Sequence, residues 1–321
     1  MSSLPHVAVS RREALCGGLC ACLGMGHQRH ASAAVAPATP QLSAPPISPL
    51  ITKAIPSSGE KLPVIGLGTD SFRSSESDSI RAEIGRMSEL GGSVIDTAAA
   101  YGDSEALIGS ALASLGIRAR MFLATKLTAD GLFGGGGEAS FHRSLERLAT
   151  QRIDLLQVHN LDGVDSLMPL LQKWKKAGSI RYLGVTTSRV SQHGDIAAAM
   201  RSYPLDFIQV DYSIANRDAA ASVLPVALER RVAVLVNLPL QRATLIGQAA
   251  QRQLPDWAAD MDVSSWSQFF LKYVISHPAV TCAIPGSTKL AHLEDNQAAA
   301  RGRMPDAALR SRMEKFWDSM S

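Results

Sequence analysis

Short apolar runs recur along the chain from residue 64 onward, each separated from the next by a polar turn and an amphipathic stretch. The runs are Val64-Ile-Gly-Leu, Ser93-Val-Ile, Met121-Phe-Leu-Ala, Asp154-Leu-Leu-Gln-Val, Arg181-Tyr-Leu-Gly-Val, Phe207-Ile-Gln-Val, Val232-Ala-Val-Leu-Val and Val280-Thr-Cys-Ala-Ile. They are spaced roughly 25–30 residues apart except before the last, the length of one βα unit. Between them, Ser79 to Leu90 carries Ile80, Ile84, Met87 and Leu90 at helical spacing and stops at Gly91-Gly92. Val164 to Lys176 does the same with Leu167, Leu170, Leu171 and Trp174 before Gly178, and Asp218 to Arg230 with Val223, Leu224, Ala227 and Leu228. Eight alternating units predict an α/β fold of the closed (β/α)8 TIM-barrel type over an open sheet. Pro305 to Ser319, with Leu309, Met313 and Phe316 near helical spacing, predicts a last helix that packs on the barrel or folds over its mouth.

The N-terminal segment reads differently. Ser10-Arg11-Arg12, the weakly apolar stretch Ala14 to Gly26 and Ala31-Ser-Ala33 form the pattern of an export signal of twin-arginine type over residues 1–33. This predicts a periplasmic or exported protein, cytoplasmic only where the signal is not used. Leu19-Cys-Ala-Cys22 bears a faint likeness to a lipoprotein processing site. Residues 34–55, rich in Ala, Pro and Ser, predict a linker that buries too little surface to fold. The barrel is then expected over 56–321, its fold beginning near Ile55 to Leu62. Cys16, Cys20 and Cys22 fall inside the signal, which leaves Cys282 alone in the mature domain and no internal disulfide.

Charge narrows the partners. The formal net charge is +3, of which +2 lies in the first 33 residues (Arg11, Arg12 and Arg29 against Glu13). A nearly neutral barrel lacks the concentrated basic face that nucleic-acid binding requires. No apolar run is long enough to span a bilayer in the mature chain. Oligomeric state is left open by the sequence.

Four ionisable residues stand at or just beyond the ends of predicted strands: Asp96, Tyr101, Lys126 and His159. In a parallel barrel the carboxyl ends of the strands open onto one face, and that face carries the chemistry. An ammonium beside a phenol favours the phenolate and lowers its pKa, a carboxylate holds the ammonium, and an imidazole shares or directs a proton. Singly, each residue has an ordinary reading: a helix cap, a turn aromatic, a solvated strand end. Together they form a proton-transfer set suited to a carbonyl group. A Rossmann-type glycine motif is missing, since Gly66-Leu-Gly-Thr-Asp-Ser lacks its third glycine. The run Gly134 to Gly137 has no P-loop Lys-Ser/Thr after it and reads as a loop near the barrel mouth. No metal site is predicted: His142 and His159 are separated by a predicted helix, and no His/Cys/Asp cluster has ligand spacing.

Longer motifs carry a resemblance. Val94-Ile-Asp-Thr-Ala-Ala-Ala-Tyr-Gly-Asp-Ser-Glu105 resembles the first signature of the aldo-keto reductases. Leu145-Glu-Arg-Leu with Arg152-Ile-Asp-Leu-Leu-Gln-Val-His159 is similar to their second. Gly178 to Val185, and Ala283-Ile-Pro-Gly-Ser-Thr-Lys289 to Glu294-Asp-Asn296, resemble later blocks of the same family. The resemblance runs from about residue 56 to the end, in order. It implies a (β/α)8 barrel, a nicotinamide cofactor (usually NADPH, NADH not excluded) and reduction of a small aldehyde or ketone. By position, Tyr101 would be the proton donor, Asp96 and Lys126 would tune it, and His159 would orient the carbonyl. Gln209 would hold the nicotinamide carboxamide, with Thr186 and Thr187 where the family often has Ser-Asn. Ser287 and Asn296 would contact the adenosine end.

Three positions depart from the family pattern. Asn237 stands where an aromatic ring often stacks on the nicotinamide. Gly286 and His292 stand where Lys and Arg commonly meet the 2′-phosphate, leaving Lys289 as the nearest firm positive charge. Asp70 and Ser71 replace a frequent pocket aromatic, with Phe72 and Phe133 either lining the pocket or packing. Two other readings stay open: an exported barrel whose trapped cofactor does not turn over, serving binding or regulation, and a Schiff-base aldolase built on Lys126.

Overall fold

Eight parallel strands hydrogen-bond side by side in chain order, in the computed structural model that describes residues 48–131 and 134–320. They are β3 (Leu67–Gly68), β4 (Val94–Asp96), β5 (Phe122–Leu127), β6 (Ile153–Val158), β7 (Ile180–Thr186), β8 (Phe207–Asp211), β9 (Ala233–Asn237) and β10 (Val280–Ala283). Parallel bridges Ile65 to Ala283 and Gly68 to Gly286 join the first strand to the last, which closes the barrel. The backbone makes the seam tight: Gly66 N donates to Ala283 O at 2.9 Å and Ala283 N to Val64 O at 2.9 Å. A Cβ at Gly68 would lie 2.7 Å from Ile284 O, so only glycine permits that approach. The expected α/β TIM barrel is the observed fold. Two antiparallel strands, β1 (Thr52–Ala54) and β2 (Lys61–Pro63), precede it.

The hairpin takes in residues 52–54, which sequence composition assigned to the linker. An edge hairpin is held by backbone hydrogen bonds, which leave little hydrophobic pattern. Its side chains supply anchors instead. Lys53 Nζ donates to the carbonyls of Ile275, His277 and Val280 at 2.7, 2.8 and 2.7 Å. Glu60 pairs with Arg181 and accepts from Tyr182 Oη at 2.6 Å. The export signal of residues 1–33, the linker up to residue 47 and Phe133 lie outside the described residues.

Helices cover the outside: α1 (Ser77–Glu89), α2 (Ser104–Leu115), α3 (Gly136–Arg147), α4 (Val164–Ala177), α5 (His193–Ser202), α6 (Asp218–Ser222), α7 (Leu224–Arg230), α8 (Thr244–Ala249), α9 (Trp266–Ile275), α10 (Leu290–Ala298) and α11 (Ala307–Asp318). The single helix expected from Asp218 to Arg230 is two, broken at Val223. Pro225 explains the break: it lacks an N–H, and it sits at the start of the second helix, where none is needed. Helix α11 packs on the flank rather than over the mouth. Met313 and Trp317 are buried, and Arg310 Nη1 reaches Ser276 Oγ at 2.6 Å just beyond α9. No helix among the described residues is long and apolar enough to cross a membrane.

Alternation along the strands divides the core in two. Ile95, Leu123, Leu127, Leu156, Val158, Ile208, Val210, Val234 and Val236 face the helices. Val94, Phe122, Ala124, Leu155, Tyr182, Phe207, Ala233 and Leu235 fill the interior, floored by Ile55 and Leu62 of the hairpin. With a period of two, the same inward rows continue toward the carboxyl ends as Asp96, Lys126, Gln157, Gln209 and Asn237. The barrel therefore runs from an apolar floor to a polar mouth.

Candidate active site

Asp96 and Lys126 lie at that mouth, 3% and 1% exposed. Lys126 Nζ donates to Asp96 Oδ2 at 2.5 Å and to Thr97 O at 2.8 Å. The other carboxylate oxygen, Oδ1, accepts from Gln209 Nε2 at 2.8 Å and from Gln157 Nε2 at 3.4 Å. The carboxylate is thus shared by three inward side chains from three further strands. A buried ion pair is tolerated only when its remaining lone pairs and protons are satisfied in this way.

Tyr101 follows in the turn between β4 and α2. Its N–H donates to Ala98 O at 3.0 Å, and its carbonyl accepts from Ser104 N at 3.1 Å. Gly102, at φ 58°, supplies the left-handed residue the turn needs. A run of hydroxyls holds this turn on the barrel: Thr97 Oγ1 donates to Ser104 Oγ at 3.0 Å, Ser104 Oγ to Thr69 Oγ1 at 2.8 Å, and Thr69 Oγ1 to Asp96 O at 3.0 Å. The phenol ring lies 4.9 Å from Lys126 Nζ. It meets the His159 imidazole edge-on, the ring centroids 6.0 Å apart and the planes at 82°.

His159 begins the turn after β6. Asn160 and Leu161, next in sequence, hold φ values of 53° and 60°. A left-handed conformation is costly for leucine, and such backbone persists only where its surroundings impose it. Asn160 N donates to Thr186 Oγ1 at 3.0 Å, which ties this turn to the end of β7. The four residues that the sequence placed at separate strand ends therefore converge at one place on the barrel mouth.

Electrostatics refines their expected roles. The Lys126 ammonium is the strongest influence on the Tyr101 phenol and pulls it downward, but burial and the Asp96 carboxylate outweigh it. The phenol sits above its ordinary value, which corrects the expectation that lysine leaves it lowered. Lys126 itself loses ground to burial and regains more from Asp96 and Tyr101, so it stays an ammonium. Burial, helped by the Lys126 charge, lowers His159 to about 4. Its imidazole is neutral at physiological pH and keeps one N–H to donate.

The remaining candidates form an arc around the mouth. Thr186 and Thr187 are buried at the end of β7, and Thr187 N donates to Gln209 O at 2.9 Å. Thr187 Oγ1 donates to Gln192 Oε1 at 2.6 Å, so this threonine is engaged with its own loop. Asn237 Nδ2 donates to Thr187 O at 3.0 Å, while Asn237 Oδ1 and Gln157 Oε1 are buried without a hydrogen-bond partner among the described residues. Gly286, Lys289 and His292 are exposed beyond β10; Ser287 is buried among them, its Oγ donating to Lys289 O at 2.9 Å. Asn296 is buried on α10, and its Oδ1 accepts from Ser267 Oγ at 2.5 Å. Asp70 pairs with Arg242 Nη1 at 2.8 Å, joining the loops after β3 and β9. Phe72 is completely buried in the outer core, so it packs and does not line the pocket.

Sequence reasoning missed Gln157, the loop residues Asn160 and Gln192, and the Asp70–Arg242 link. Gln157 was readable: it is the polar break in Asp154-Leu-Leu-Gln-Val, two residues before His159 and so on the same inward row. The loop contacts had no such signal. Among the described residues, no group of three His, Cys, Asp or Glu side chains is placed to hold a metal ion.

Barrel, polar mouth and buried acid–base cluster define a TIM-barrel protein with a candidate site at the carboxyl end of the strands. The model of the Aldo/keto reductase family matches residues 64–314, and the chain belongs to that family. It is similar to aldo-keto reductase YhdN of Bacillus subtilis, 34% identical over 57% of this chain and 57% of that protein. The chain thus spans little more than half the length of that relative. Methylglyoxal reductase YeaE of Escherichia coli is 29% identical over 80% of this chain and 92% of its own. Among solved structures, an aldo-keto reductase from Klebsiella pneumoniae in complex with NADPH superimposes with a TM-score of 0.72 at 23% identity, covering 84% of this chain and 95% of that one.

Proposed function

We propose that this barrel reduces a small aldehyde or ketone to an alcohol at the expense of NADPH, with Tyr101 as the proton donor. The convergence of Tyr101, Lys126, Asp96 and His159 carries this reading. The dinucleotide, when bound, supplies the hydride. The residues of the mouth fit such a group: Asn237 Oδ1 and Gln157 Oε1 are buried acceptors in want of a donor, as a carboxamide would provide. Gln209, Thr186, Thr187 and Asn237 would hold the nicotinamide end. Gly286, Ser287, Lys289, His292 and Asn296 would hold the adenosine end.

The chain's own groups do the rest. As negative charge develops on the substrate oxygen, the Tyr101 O–H gives up its proton to that oxygen. A phenol above its ordinary pKa at rest is fully protonated and therefore loaded for this transfer. The phenolate left behind faces the Lys126 ammonium, whose attraction counts most at that moment. Asp96 keeps Lys126 in place without competing for the substrate. The neutral His159 directs the carbonyl by donating its N–H, and brings no charge of its own.

The test is oxidation of NADPH in the presence of a panel of aldehydes, followed by the absorbance of the reduced nicotinamide. Turnover in the wild type that falls roughly 10²–10⁴-fold in Tyr101→Phe supports the role; undiminished turnover refutes it. Export belongs to the same proposal and rests on Ser10-Arg11-Arg12 and the segment after it. Cell fractionation with Arg11 and Arg12 both replaced by Lys tests it: protein retained in the cytoplasm supports export, and unchanged distribution counts against it.

A further inference from the structure

Helix α1 carries a carboxyl that the proposed chemistry does not use. Glu83 is 0% exposed, and neither of its oxygens has a hydrogen-bond partner among the described residues. An acid so placed is expelled toward its neutral form, and burial raises Glu83 to about 7. The Ser287 hydroxyl is the group near enough to draw it back, although no well-formed bond closes between them, and Glu76 pushes it further up. Ser287 is itself 7% exposed, its hydroxyl shared with the backbone of Lys289.

Helix α1 packs against α2 and α10. On α2, Glu105 is taken by Thr125 Oγ1 at 2.7 Å. On α10, Glu294 is taken by Arg86 at 2.6 Å and Asp295 by Ser265 and Gln268, both at 2.7 Å. Arg86 is further committed to Glu89 at 2.9 Å. Lys289 and His292, which follow Ser287 in sequence, are both exposed. A buried carboxyl with no ion pair among the described residues thus lies within the influence of the Ser287 hydroxyl.

We propose that Glu83 decides which dinucleotide this barrel holds. As a neutral acid it leaves the Ser287 loop open to a phosphorylated adenosine ribose; as a carboxylate it repels that phosphate and favours the unphosphorylated form. The inference rests on the reading of Ser287, Lys289 and His292 as the adenosine end. Its physical basis is that a negative charge in a low-dielectric interior is felt strongly by a second one nearby. Linkage then requires that binding of the phosphorylated dinucleotide draw a proton onto Glu83.

Fluorescence titration of the folded protein with NADPH and with NADH, at about pH 6 and about pH 8, tests this in the wild type and in Glu83→Gln. The expected result is a preference for NADPH over NADH that falls roughly five-fold or more with rising pH in the wild type and does so much less in the variant. Every other group at this end is the same in both proteins, so the difference between them isolates Glu83. The same pH dependence in both overturns the role of Glu83 while leaving the cofactor site standing. A folded wild type that binds neither dinucleotide overturns the cofactor site and this inference with it. Where Glu83→Gln does not fold, Glu83→Met, similar in size and without an ionisable group, takes its place in the same titration, with the same outcomes for and against.

Discussion

The floor and the mouth of the barrel are built on the same inward rows of the same strands, yet they obey opposite rules. On β5, Phe122 and Ala124 lie in the inner apolar cluster and Lys126 stands one step further along the row. On β8, Phe207 leads to Gln209 in the same way. At the floor, burial is favourable residue by residue. At the mouth, each buried group is costly alone and is stable only because its neighbours answer it. Position along the strand, rather than burial, therefore separates residues that hold the fold from residues that do chemistry.

The largest expected effect breaks the mouth. Lys126→Met strands the Asp96 carboxylate in the interior and should cost about 3–5 kcal/mol of stability, as well as turnover. The double variant Lys126→Met with Asp96→Asn removes both charges. It should recover most of that stability in denaturant titration and none of the activity. Recovery of both, or of neither, contradicts the distinction between mouth and floor.

Phe207→Ala cuts the floor. A cavity among Phe122, Tyr182 and Phe207, whose rings pack at 5.5–5.9 Å, should cost about 3–5 kcal/mol in chemical unfolding. The activity of the molecules that remain folded should be nearly unchanged, because no polar contact of the mouth is touched.

Glu83→Gln gives a smaller, pH-dependent change. A carboxyl raised to about 7 in the fold binds more protons there than in the unfolded chain between its ordinary value and 7, so wild-type stability falls as pH rises through that window. At about pH 8 the glutamine variant should exceed the wild type by on the order of 1–3 kcal/mol, and near pH 4 the two should agree. Thermal unfolding at both values checks the sign.

The smallest effect is an absence of change. With His159 lowered to about 4, the pH profile of kcat/KM should show no inflection from it near the ordinary histidine value. An inflection there that vanishes in His159→Gln contradicts a neutral, orienting imidazole.

Much of the barrel was legible because the strand–helix alternation is regular and its polar interruptions are few. Asp96, Lys126 and His159 could be placed at strand ends by counting alone, and Tyr101 by the turn that Gly102 marks. What escaped reading has physical reasons. Parallel strands buried on both faces look uniformly apolar, so inward and outward rows are told apart only by rare polar members such as Gln157 and Gln209. The hairpin strand Thr52–Ala54 lacks a hydrophobic signature because backbone bonds and Lys53 hold it. The balance at Tyr101 depends on burial, which outweighs a lysine whose presence alone suggested the opposite shift. Glu83 stood in an ordinary amphipathic helix, and only packing against α10 and the loop after β10 makes it unusual.

Separating binding from proton transfer tests the central claim most directly. NADPH is bound to wild type and to Tyr101→Phe, and its oxidation by a saturating aldehyde is followed in a single turnover. Cofactor affinity should agree within about two-fold in the two proteins, and the oxidation rate should be roughly 100-fold or more slower in the variant. Equal rates, with the fold and the affinity intact, would mean that the proton comes from somewhere other than the phenol beside Lys126.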